Sequence, residues 1–91
     1  MTSDTQFGKY YIGCKNDDGT ISYYSWDTFG WRFATLEQAK ERFITFTRMT
    51  ISVAKDTLRE IREANGGQYK DLKLFLIPKE DAVLWGIEGV A

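Results

Sequence analysis

The sequence predicts an α+β domain: an antiparallel sheet of four or five strands with one long helix packed on one face, in the order β-β-α-β-β. Three observations predict it. Two β-rich runs flank Asn16-Asp17-Asp18-Gly19, a hairpin signal, because Asp-Gly tolerates the positive φ of a tight turn. A single helical phase of apolar residues runs from Leu36 to Ile61. Alternating apolar stretches then fill the chain from residue 70 onward. At 91 residues the chain is read as one domain, 1–91, with residues 1–5 a frayed polar start.

Residues 6–15 form the first strand and 20–27 the second. Closing the hairpin with a two- or a four-residue loop puts the same residues on the same faces, because those registers differ by two. One face then carries Tyr10, Ile12, Cys14, Ile21 and Tyr23, and its aliphatic members mark it as the core side. Cys14 reads there as a small buried hydrophobe. The other face carries Lys9, Tyr11, Gly13, Ser22, Tyr24 and Trp26. Thr28-Phe29-Gly30 turns the chain into a short extended piece, Trp31-Arg32-Phe33.

Thr35-x-x-Gln38 is a capping-box pattern that opens a helix over about 36–64. Leu36, Ala39, Phe43, Phe46, Val53, Ala54, Leu58 and Ile61 project to one side of it, and Glu37, Glu41, Arg48, Lys55, Asp56, Arg59, Glu60 and Glu63 to the other. Residues 44–53, rich in Thr and β-branched side chains, are its weak point, where a kink or break would fall. Asn65-Gly66-Gly67 stops the helix. Residues 70–77 read as a strand with Leu72, Leu74 and Leu76 on one face and Phe75 and Ile77 on the other, hence covered on both sides. Pro78–Asp81 is a turn. Residues 82–87 read as a last strand, with a helical turn after Pro78 as the alternative.

Composition excludes more than it names. The chain has no His and one Cys, so it cannot build a tetrahedral zinc site or a Ser-His or Cys-His nucleophile pair. No phosphate-loop or dinucleotide fingerprint is present. The carboxylate pairs Asp17-Asp18 and Glu80-Asp81 sit beside Gly19 and Pro78, where such residues ordinarily shape turns. No catalytic residue, cofactor or metal is therefore expected. The net charge is −1 and no segment is strongly basic, which disfavours binding to long nucleic acids. No apolar run reaches the roughly 20 residues of a membrane span, and the polar N-terminus lacks a secretory layout, so the expected location is cytoplasmic.

Two surfaces carry the functional expectation. A helix of about 29 residues would be about 43 Å long at 1.5 Å per residue, against about 20 Å for a short strand. Its overhanging stripe would then need a cover, such as a second copy of the chain. One helix also covers only one sheet face. Fourteen aromatic residues are a heavy load for this length, and Tyr11, Tyr24 and Trp26 would lie on the bare face as a gripping surface. Trp31 joins them as an anchor and Arg32 as a rim charge.

At Gly30-Trp31-Arg32-Phe33-Ala34-Thr35-Leu36-Glu37-Gln38-Ala39 the chain resembles a loose group of small phage and prophage proteins. In that group a hairpin is followed by a Phe-x-Thr-x-Glu-x-Ala helix start, matched here by Phe33, Thr35, Glu37 and Ala39, and the Asp18-Gly19 hairpin is similar. The likeness covers about the first half of the chain, its motif is a strand-to-helix cap, and it transfers no functional residue. It implies a host-takeover or anti-defence factor, the anti-CRISPR inhibitors among them, that blocks a host machine by binding. The expectation is thus a small non-enzymatic binding protein, phage-encoded and active in the host cytoplasm, that occludes a host or defence protein complex. The alternative is a protein that sequesters a small, cyclic nucleotide by stacking its base on the sheet aromatics, between chains of an oligomer.

Overall fold

The computed structural model describes residues 8–68 and 71–87. The expected frayed start at residues 1–5 lies outside them. The elements are β1 (Tyr10–Lys15), β2 (Ile21–Asp27), β3 (Gly30–Ala34), α1 (Leu36–Arg42), α2 (Ile51–Gly67), β4 (Lys73–Pro78) and α3 (Lys79–Trp85). The four strands form one antiparallel sheet in the order β3-β2-β1-β4. The α+β class and the antiparallel sheet agree with the sequence reading; the element order and the single helix do not.

The first correction is one of register. Gly13 pairs with Tyr23, Cys14 with Ser22 and Lys15 with Ile21. The hairpin closes where Asn16 N–H donates to Thr20 O at 2.8 Å, leaving a three-residue loop of Asp17, Asp18 and Gly19. Gly19 takes φ +90°, and Asp18 Oδ1 accepts from both Thr20 N and Thr20 Oγ1. A tight turn followed by a left-handed Gly inserts one extra residue, so every face assignment between β1 and β2 shifts by one. Tyr11, Gly13 and Tyr23 therefore share one face, with Phe75 and Ile77; Tyr10, Ile12, Cys14, Ser22 and Tyr24 share the other, with Leu74 and Leu76. Gly13 is required by packing: a Cβ there would lie 2.6 Å from Phe75 Cζ.

The second correction is the helix. Thr35 caps α1 with the expected capping box, but Phe43 turns left-handed at φ 56° and ends it after seven residues. Thr50 then caps α2, accepting from Val53 N. Between them residues 44–50 run extended through a gap in the sheet. β1 and β2 pair only near their hairpin, and past it they part. Into that opening Thr47 N donates to Tyr24 O at 3.1 Å, while Thr47 Oγ1 accepts from Trp26 N at 2.8 Å. On the other side Met49 bridges Tyr10, with N–H···O distances of 2.8 and 2.9 Å. Ser25 Oγ donates to Thr45 O at 2.8 Å. The Thr and β-branched side chains that disfavour a helix interior suit this extended, strand-like insertion.

The chain thereby passes from one sheet face to the other, and both faces are covered. On one face Tyr11, Tyr23, Ala34, Phe46, Ile77 and Ala82 form a core under α1, α3 and Ile44. On the other Ile12, Tyr24, Met49, Ala54 and Ile61 form a second core under α2, with Leu58, Leu72, Leu74 and Leu76. A sheet apolar on both sides must be buried on both, and breaking the helix achieves this within one chain. The long overhang that called for a second copy does not arise. Residues 79–85 are the helical alternative rather than a last strand, with Glu80 and Asp81 in the first turn and Gly86 left-handed at the end. Trp31-Arg32-Phe33, read as a short extended piece, is the centre of β3. Among the described residues no helix is long and apolar enough to cross a membrane.

Candidate functional site

The corrected register changes which rings are available. Tyr11 is 5% exposed and Tyr24 7%, each inside a different core. Burial pushes the Tyr24 hydroxyl above its ordinary pKa, with Glu60 adding to the effect, and burial raises Tyr23 likewise. Neither Tyr11 nor Tyr24 can anchor a partner. Cys14 is buried as expected, and burial raises its thiol pKa.

Trp26 and Trp31 remain at the surface, 62% and 40% exposed. They are direct partners in the β2–β3 ladder. Trp31 is the outer end of a ring stack: it lies nearly parallel to Tyr24 at 6.4 Å between centroids and edge-on to Phe33 at 6.0 Å. Tyr24 and Phe33 meet edge-on at 5.8 Å. The stack runs from the core outward along the edge pair of strands, so the outer indole rests on a rigid base.

Two further rings join them at this end of the molecule. Phe29, in the turn between β2 and β3, is 93% exposed, and Phe43, at the end of α1, is 92% exposed. Asp27 shapes the turn: its Oδ1 accepts from Phe29 N at 2.8 Å, and its other oxygen pairs with the Arg32 guanidinium. Arg32 is exposed. A hollow of about 360 Å³ opens between the hairpin and the end of α1, lined by Trp26, Asp27, Arg32, Arg42, Phe43 and Thr45 among others.

The sequence reading missed Phe29 and Phe43. Phe29 carried a signal, since an apolar ring inside a turn has no core to enter. Phe43 carried none, because its spacing matched the apolar stripe of an unbroken helix. A second apolar patch lies on α3, where Val83, Leu84 and Trp85 are exposed; Trp85 leans on Phe75 and Tyr23 at 5.5 and 6.5 Å and is partly structural. A shallower hollow of about 330 Å³ lies among Tyr11, Leu36, Lys40, Ile44 and Ile87. Among the described residues no group of His, Cys, Asp or Glu is arranged to hold a metal ion. Comparison with protein families, with proteins of curated function and with solved structures finds no match to this chain.

Proposed function

We propose that this chain is a small non-enzymatic binding protein that acts by covering a surface of a partner, as a phage-encoded inhibitor of a host or defence protein complex. One observation carries the docking surface: Trp26, Phe29, Trp31 and Phe43 stand exposed around one end of the molecule. A ring of this kind hides roughly 150–250 Å² when buried, and aromatic anchors dominate interface energetics. The lack of His and the burial of the one Cys support binding over catalysis. The likeness of the β3–α1 junction to phage and prophage proteins supports the source and the inhibitory role. Nucleotide capture has less support, because Tyr11 and Tyr24 offer no free ring face.

The test is a comparison of baits. Wild type and a Trp26→Ser/Phe29→Ser/Phe43→Ser variant are used to capture proteins from host lysate, and the bound species are identified by mass. A partner held by wild type and lost by the variant, at unchanged far-ultraviolet circular dichroism, is the expected result. Equal capture by both sinks the docking surface. A thermal shift of several degrees with a cyclic nucleotide, in the absence of any protein partner, would favour capture of a small ligand instead.

A further inference from the structure

We propose that the hollow beside the β2–β3 hairpin receives an acidic segment of a partner protein, its carboxylate held by Arg42 and Arg32 and an adjoining apolar residue lying on Phe43. This rests on the docking surface described above and adds the chemistry of the partner.

Charge is the first argument. The lining holds two guanidinium groups, Arg32 and Arg42, and one carboxylate, Asp27. Asp27 is already engaged on both oxygens, by Arg32 and by Phe29 N. Arg42 has no carboxylate within ion-pair distance among the described residues. Among the described residues the hollow thus keeps one positive charge without a carboxylate partner, on a chain whose net charge is −1. Arg32 spends one of its nitrogens on Asp27, and a guanidinium presents five N–H donors in a planar fork. A second carboxylate can be received on the remaining edge.

The neutral groups in the lining do not compete. Ser25 Oγ is committed to Thr45 O, and Ile44 supplies only apolar surface. The exposed ring in the lining is Phe43, and Arg is among the residue types that concentrate binding energy at protein interfaces. An acidic residue beside an apolar one matches this lining of paired guanidiniums and a ring.

Extent is the second argument, and it separates a protein segment from a small anion. Phe29 and Trp31 lie outside the hollow on the same end of the molecule. A ligand confined to about 360 Å³ would leave both rings in water. A segment on a protein surface can extend past the hollow to the ring of Phe29 in the adjoining turn. A long nucleic acid is disfavoured because Glu37 and Glu41 stand on α1, the helix that ends in Arg42.

The experiment selects a displayed library of random peptides against the immobilised full chain. Enriched peptides are then titrated by the change in tryptophan fluorescence. Enrichment of Asp or Glu beside an aromatic or aliphatic residue is expected. Arg42→Glu should weaken those peptides about tenfold or more, with melting unchanged, and added salt should weaken them too. Asp27→Asn keeps an acceptor for Phe29 N, releases Arg32, and should tighten them several-fold. Peptides without acidic bias that ignore Arg42→Glu but are lost on Phe43→Ala overturn the acidic partner and leave the docking surface standing. No enrichment, or peptides indifferent to both substitutions, overturns both. A nucleotide that shifts the fluorescence of wild type but not of Arg42→Glu, with no acidic peptide bound, overturns the protein partner and reassigns the hollow to a small anion.

Discussion

Phe43 carries an unusual combination for a single residue. It is the one non-glycine residue with positive φ among those described, and its ring is almost wholly in solvent. A left-handed backbone costs an L-residue about 1–2 kcal/mol, and glycine is the usual occupant of a helix end of this shape. Packing does not offset that cost here, so Phe43→Gly should raise stability by roughly 0.5–1 kcal/mol, allowing for the freedom glycine adds to the unfolded chain. The same change should weaken docking. Denaturant midpoints and binding titrations on one protein sample check both halves, and a variant that is less stable would remove the strain argument. Side-chain spacing could not have shown this: residue 43 fits the apolar stripe of a straight helix, and only the backbone turn throws the ring outward.

At the scale of elements, β1, β2, β4 and the caps were legible because their causes are local, whereas the last strand expected at 82–87 is the helix α3. Asp18 and Gly19 make the turn, Thr35 and Gln38 make the box, and Gly66 and Gly67 both take positive φ where the helix was read to stop. Leu74 and Leu76 against Phe75 and Ile77 divide across β4 as their alternation required. What was not legible depends on partners distant in sequence. The extra hairpin residue moved Tyr11 and Tyr24 into separate cores, and segment 44–50 found β1 and β2 rather than a helix. Thr47 secures that segment. Thr47→Val keeps the shape and removes the acceptor for Trp26 N, so it should cost about 1–2 kcal/mol. Faster amide exchange at Trp26 and Thr47 than in wild type is the accompanying observation; unchanged exchange would mean that the hydroxyl contributes little.

For the whole molecule, the buried ionisable groups set a limit at high pH rather than low. Tyr23, Tyr24 and Cys14 all have folded pKa values raised above their ordinary 10.0, 10.0 and 9.0. The folded state therefore holds these protons more tightly than the unfolded chain. Their contribution is complete below the unfolded values and is lost as pH climbs past them. Unfolding midpoints should stay level on this account through neutral pH and fall from about pH 9 upward, Cys14 titrating first. Tyr23→Phe should flatten part of that fall. Tyrosinate absorbance measured alongside the midpoints checks the assignment, and a decline that survives Tyr23→Phe, Tyr24→Phe and Cys14→Ala together would place it elsewhere.

The passage of residues 44–50 between β1 and β2 ties the two hydrophobic layers to one fastening. Prising it out would bare Phe46 on one side and Met49 on the other at the same moment. Neither layer can peel away while its opposite endures, so the domain should melt in a single step, without a half-open form that could expose a sticky sheet to its neighbours.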